Sequence, residues 1–323
     1  MIARVRGFFH RAFGRGEEYP LAAKKIRFAY KNTEVLKNLN LTVKNSQIIA
    51  VVGRSGEGKS TFLNLIVGAI TGRYGGKIEI LGTKRNFAKE DIGFVPQDIA
   101  VVPDLTIEQN IVFFGNINGL KKEKALKAGR ALISTLQLNV PLDRLPYELS
   151  GGQRVRLNIL LSLLHDPKIL ILDEPFVGLD YHNRKLLWHF LQHQKNRRKT
   201  VILTTHLLIE AEKHSDRIVL LHKGRIYAKG NLEDIRQKLH ANYIVEYKFA
   251  YLSKTNFNKI KKYCSSRDIT VMDNFNNYVM FSVTGEGQRN YLARFFDKLK
   301  LEYNEVSFRQ PNLDEISLKV SST

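Results

Sequence analysis

The chain has 323 residues, of which 43% are apolar and 25% charged, the balance of a folded globular protein of about two domains. No apolar run reaches the ~18 residues that a membrane-spanning helix needs, and the single cysteine, Cys264, excludes an internal disulfide. The formal net charge of +20 points to a polyanionic neighbour, either nucleic acid or an anionic membrane face. The plainer reading is a solvated surface, which accounts for runs such as KKEK (121–124) and NRRK (196–199).

The first sixteen residues lack the apolar core and cleavage site of a secretory signal, so the expectation is a cytosolic chain. They carry four arginines and no acid. On a helical wheel Ile2, Val5, Phe9, Ala12 and Phe13 share one face, while Arg4, Arg11 and Arg15 gather opposite. That suits a helix lying among anionic headgroups; a frayed terminus is the alternative. KKIRFAY (24–30) and LTV (41–43) then read as strands. QIIAVV (47–52) is a continuous apolar run of the kind buried on both faces of a parallel sheet.

That run leads into VVGRSGEGKST, which fits G-x-x-x-x-G-K-[ST] at Gly53, Gly58, Lys59 and Ser60, after a predicted strand and before a predicted helix. Glycines here let backbone N–H groups close round a phosphate, Lys59 adds a point charge, and the Ser60 hydroxyl can ligate Mg²⁺. Arg54, Ser55, Gly56 and Thr61 belong to the same phosphate loop. GKIEIL (76–81) reads as another strand, and from about Pro103 to Asp166 the pattern turns helical, with Thr106 or Asp104 as N-cap. Within it, YELSGGQRVRL (147–157) places a serine, two glycines and a glutamine before an apolar helix, a second candidate anion site.

KILIL (168–172) and TVILTT (200–205) are further buried strands, and IVLLH (218–222) with GRIYAKG (224–230) makes a hairpin turning at Gly224. Asp173 and Glu174 close the first of these strands. A carboxylate at the end of a buried strand is costly unless paired or near a metal, which makes Asp173 a partner for Mg²⁺; Glu174 is placed to orient or deprotonate a water. Beyond His240 the texture changes. YIVEYKFAYL, ITVMDNF, YVMFSVTG and EYNEVSFRQ read as strands, KTNFNKIKKYCSSR and QRNYLARFFDKLK as helices, in the βαββαβ order of a ferredoxin-like domain.

Over residues 24–235 the chain resembles the ATP-binding-cassette ATPases, whose signature LSGGQ stands unaltered at Leu149–Gln153. The resemblance implies that two cassettes sandwich two ATP molecules, the signature residues Ser150, Gly151, Gly152 and Gln153 of one chain closing on the nucleotide in the phosphate loop of the other. It also implies the remaining roles. Tyr30 is similar to the aromatic that stacks on adenine, and Gln97 in GFVPQD to the glutamine that contacts Mg²⁺. Asp180 ends FVGLD, the loop that touches the partner, and His206 in TTHLLIEAE resembles the histidine that holds the γ-phosphate. The departures are an aliphatic RVRLNILLSLL after the signature and Val177-Gly178 before Leu179-Asp180; neither removes a catalytic group. The ending RQPNLDEISLKV (309–320) is similar to that of cassettes from multidrug and natural-product exporters.

The fold expected is therefore an α/β P-loop ATPase cassette over 20–240, a mostly parallel sheet with an antiparallel edge and an inserted helical subdomain at about 103–166. A small α+β accessory domain follows over 241–323, and residues 1–19 form the basic segment. The implied function is the ATP-hydrolysing subunit of an exporter, with ATP and Mg²⁺, working as a homodimer or with a related cassette on separately encoded membrane permease subunits, at the cytoplasmic face of the membrane. The rival is a soluble cassette acting on nucleic acid or ribosomes. Against it, Lys59 and Leu149 are too close in sequence for the long coiled-coil arm of chromosome-type cassettes.

Overall fold

A computed structural model describes residues 19–70, 72–84, 89–239 and 243–321. The amphipathic N-terminal segment expected over 1–19 lies, but for Tyr19, outside these residues. The contacts divide the chain after Asn231 into two compact units.

In the first unit the strands separate by their burial pattern. β1 (Leu21–Tyr30) and β2 (Thr33–Val43) alternate buried and exposed positions and pair antiparallel; β4 (Gly75–Ile80) and β5 (Thr83–Lys84) extend them into a four-stranded sheet of order β2-β1-β4-β5. The continuous apolar runs behave differently. β3 (Ile48–Val52), β7 (Ile169–Leu172) and β8 (Thr200–Thr205) are buried at every position, as strands covered on both faces must be. With β6 (Ile92–Val95), β9 (Arg217–His222) and β10 (Arg225–Gly230) they build a six-stranded sheet of order β10-β9-β3-β8-β7-β6. It is parallel from β9 to β6, and the β9–β10 hairpin supplies the expected antiparallel edge. Ile49, Val51, Ile171, Ile202 and Val219 share one apolar core with Phe62 and Leu65 of helix α1 (Lys59–Val67) and with Leu36, Leu39 and Ile78 of the antiparallel sheet.

Between β6 and β7 the chain forms the helical insertion: α2 (Ile107–Ile117), α3 (Lys122–Thr135) and α4 (Gly151–Leu163). Thr106, and not Asp104, caps α2: its hydroxyl accepts from Gln109 N at 3.2 Å, and Gln109 Oε1 accepts from Thr106 N at 2.8 Å. The unit continues through α5 (Tyr181–Asn196) and α6 (Leu208–His214). Among the described residues no helix is long and apolar enough to cross a membrane.

The second unit begins with α7 (Leu232–Lys238), a short helix unanticipated from sequence. Then come β11 (Tyr243–Phe249), α8 (Lys254–Ser265), β12 (Thr270–Phe275), β13 (Tyr278–Val283), α9 (Glu286–Lys298) and β14 (Tyr303–Arg309), in the expected βαββαβ order. The sheet runs β12-β13-β11-β14, antiparallel throughout. Its core is aromatic, with Tyr247 edge-on to Phe296 at 4.8 Å and to Tyr303 at 5.0 Å. Cys264 is buried in it, and burial pushes its thiol up to about 12, which makes it an inert core residue. The tail adds α10 (Leu313–Ser321), capped reciprocally by Asn312 and Glu315. Arg309 ion-pairs with Glu315 and Glu246, and Arg236 of α7 donates to the Pro311 carbonyl at 2.8 Å.

Candidate active site

The strand order puts the C-terminal tips of β3, β8, β7 and β6 side by side, and the polar groups of the site follow those tips, Gln97 among them just after β6. The loop after β3 turns through Gly58, whose φ of +96° only glycine adopts freely; a Cβ there would lie 2.9 Å from Leu36 Cδ2. Gly58 caps α1 without a side chain, so the first N–H groups of that helix carry no side-chain partner at its N-cap. Lys59 is 7% exposed, and its ammonium donates to the carbonyls of Gly53 at 2.8 Å and Arg54 at 3.1 Å.

The two carboxylates after β7 differ in environment. Asp173 is buried and accepts from the hydroxyls of Thr204 at 2.5 Å and Ser60 at 3.1 Å. Glu174 adopts φ +48°, a conformation costing a non-glycine residue roughly 1–2 kcal/mol. Its N–H is held by Thr204 Oγ1 at 2.8 Å. Its oxygens lie 3.5 Å from Lys59 Nζ and 2.9 Å from His206 Nδ1. An open cleft of about 460 Å³ collects Ser55, Gly56, Gly58, Lys59, Ser60, Thr61, Gln97, Glu174 and His206, with Val35 and Val177 as apolar walls.

Other expected residues stand elsewhere. Tyr30, half exposed and edge-on to Phe28 at 4.7 Å, does not line the cleft. Gly53, Arg54 and Asp173 are not among the lining residues either, but they bond to two that are, Lys59 and Ser60. Ser150, Gly151, Gly152, Gln153 and Asp180 are absent from the lining. Ser150 and Gln153 form a capping box at the start of α4: Gln153 N donates to Ser150 Oγ at 3.3 Å, and Ser150 N to Gln153 Oε1 at 2.9 Å. Asp180 caps α5, where the N–H and then the side chain of Asn183 hold its carboxyl below the usual range. Asn183 Oδ1 also accepts from Arg156 Nη1 at 2.9 Å, which ties the head of α5 to α4. Burial pulls the Arg156 guanidinium down, against the pull of Asp180.

Asp173 gives a test of fit for Mg²⁺: a buried carboxylate whose nearest partners are hydroxyls leaves negative charge for a cation to offset. Ser60, Asp173 and Gln97 are hard oxygen ligands of the kind Mg²⁺ takes. Among the described residues no cluster of three or more His, Cys, Asp or Glu gathers, so water and phosphate oxygens would complete the shell.

The family model of ABC transporters matches residues 36–177. The chain is 34% identical to the Nod factor export ATP-binding protein I of Rhizobium etli over 67% of this chain and 70% of that one. The chain belongs to the ABC transporter family. The cassette is also 30% identical to the linearmycin resistance ATP-binding protein of Bacillus subtilis, over 78% of this chain and 82% of that protein. Among solved structures, a dimeric bacterial ABC transporter cassette superposes with a TM-score of 0.60 at 27% identity, over 66% of this chain and 98% of that one. The cassette is thus the ATP-binding, ATP-hydrolysing subunit of a transporter, and the nucleic-acid reading falls away.

Thr204 is a site residue that sequence reasoning passed over. In TVILTT a threonine reads as strand propensity, and its signal, a hydroxyl two residues before His206, emerges only when β7 and β8 pair. Val177 stands out in the sequence only as a departure within FVGLD, and Val35 belongs to no motif and carries no signal.

Proposed function

We propose that this cassette hydrolyses ATP in composite sites shared by two copies and thereby drives export through separately encoded membrane subunits, at the cytoplasmic membrane face. One observation carries the reading: the phosphate loop, Gln97, Glu174 and His206 meet in one cleft, while Ser150–Gln153 and Asp180 stand outside it. A second copy, head to tail, brings those groups to the nucleotide, and the dimeric solved relative supports that arrangement. The export direction is supported by the names of the Rhizobium and Bacillus relatives and by the 309–320 ending.

In this reading the N–H groups of Arg54–Thr61 and the Lys59 ammonium take the phosphates, with Tyr30 or Val35 against the base. The γ-phosphate draws Lys59 and His206 away from Glu174, whose freed carboxylate accepts the proton of the attacking water. ATP and water give ADP and inorganic phosphate. Mg²⁺, when held by Ser60, Asp173 and Gln97, offsets the charge building on the phosphate oxygens. Residues 241–323 form an accessory domain that supports the dimer or regulates it.

Mixing two inactive variants tests the composite site. Ser150→Arg and Lys59→Ala should each silence a homodimer, while their heterodimer keeps one intact site and part of the ATPase rate. A proven heterodimer no more active than its parents would refute it.

A further inference from the structure

The phosphate loop carries a side chain that binding a triphosphate does not call for. Glu57 sets a carboxylate one position before Gly58, where its charge opposes that of the ligand. Yet Glu57 is not among the cleft residues, and its side chain is nearly buried. It is gripped from behind by the β9–β10 hairpin: Oε1 lies 3.0 Å from His222 Nδ1, and Oε2 accepts from the N–H of Lys223.

The hairpin is in turn locked to the other wall of the cleft. Gly224 O accepts from Lys37 N at 2.8 Å. Gly224 turns with φ +77°, and a Cβ there would fall 2.0 Å from the Val35 carbonyl oxygen. Val35 lines the cleft. One hairpin therefore sets the spacing between the phosphate loop and β2. His222 Nε2 is buried without a partner. A carboxylate oxygen accepts, so the contact to Glu57 is made by Nδ1–H of the ring as donor.

We propose that Glu57 and His222 are positioning residues that hold the glycine-rich loop in its receptive shape, so that ATP binding need not order it. A preset loop spares the ligand that ordering cost. The proposal rests on the reading of residues 53–61 as the ATP phosphate site. The sign of one effect separates it from an electrostatic role. If Glu57 acted only by its charge, removing it would tighten ATP binding; if it is half of a clamp, removing it weakens binding.

The test uses the full chain, a fluorescent ATP analogue for affinity, and steady-state ATPase assays with melting curves alongside. His222→Phe keeps a ring and loses the donor; His222→Asn keeps an amide N–H where Nδ1 stood. Glu57→Ala and His222→Phe should each raise the Kd and KM about tenfold, equivalent to about 1.4 kcal/mol. Their kcat should stay within about twofold, as expected when binding common to ground and transition states is lost. His222→Asn should recover most of the affinity, and the double variant Glu57→Ala/His222→Phe should be no worse than either single one. Unchanged or tighter binding by Glu57→Ala, no rescue by asparagine, or a fall in kcat that matches the loss of affinity would each overturn the clamp. Should Glu57→Ala fail to fold, the phenylalanine and asparagine pair decides alone. Lys59→Ala serves as control: undiminished nucleotide binding there would overturn the phosphate-site reading itself.

Discussion

Replacing Thr204 by valine keeps shape and volume and exchanges a hydroxyl for a methyl at a fully buried position. Two bonds go together: the 2.5 Å bond to Asp173 and the 2.8 Å bond from Glu174 N. A hydrogen bond to a charged group contributes ~1.5–3 kcal/mol and a stranded buried N–H costs ~1–3 kcal/mol. Ser60 still serves Asp173, so a central expectation is a loss of ~3–4 kcal/mol. For a unit of this size that lowers the melting temperature by about 6–15 °C, while a stability of ~5–15 kcal/mol leaves it folded at room temperature. Thr204 also pins Glu174 in its left-handed conformation, and release from it should lower kcat by at least about tenfold. Calorimetry and a phosphate-release assay read both effects, and Thr204→Ser, which keeps the hydroxyl, should lie near the parent. A valine variant melting within about 1 °C of the parent at normal turnover would refute the reasoning, as would a serine variant equally impaired.

Glu174→Gln keeps the packing and removes the proton acceptor; steady-state hydrolysis should cease while ATP binding persists and Mg-ATP traps a dimer in sedimentation, and near-normal turnover would remove Glu174 from its role. Truncation after Asn231, where the contacts divide, should leave ATP binding intact and change dimer affinity or coupled transport; a folded truncation that no longer binds ATP would contradict this. Burial alone would raise the Glu246 carboxyl, but hydrogen bonds from Tyr278, Ser307 and Arg309 together hold it below the usual range. A depressed folded value stabilises above the unfolded value and is lost as pH falls through the folded one, so the C-terminal unit should weaken as pH falls below about 4. Near-UV circular dichroism across that range should show a shallower acid transition in Glu246→Gln, and superimposable curves would count against it.

The legible parts of this chain were those whose signal is local. The phosphate loop needs its glycines, lysine and serine in one stretch, and the carboxylates end a run too apolar for a loop. The C-terminal βαββαβ order followed from alternation in short segments. Pairings across the chain were hidden. Glu57 and His222 meet only because β9 lies beside β3, and Thr204 faces Asp173 only because β8 lies beside β7. Segregation of β1, β2, β4 and β5 into their own sheet rests on alternation broken by bulges in β1, which blurs the period. The helices α7 and α10 are too short to show periodicity; the second betrays itself only in Asn312 and Glu315, a cap that needs the helix to be recognised.

The capping box at the head of α4 uses Ser150 in one direction only. Its oxygen accepts from Gln153 N, which leaves the hydroxyl proton uncommitted on an exposed residue. Helix stability alone would be content with aspartate or asparagine at this position, both strong caps. Aspartate, however, has no proton to offer and would repel a phosphate, and asparagine must turn one fixed end of its amide to the helix. In the composite site proposed above, a hydroxyl would serve two masters at once, so that a neighbouring copy could dock on it and depart again without the helix end rearranging.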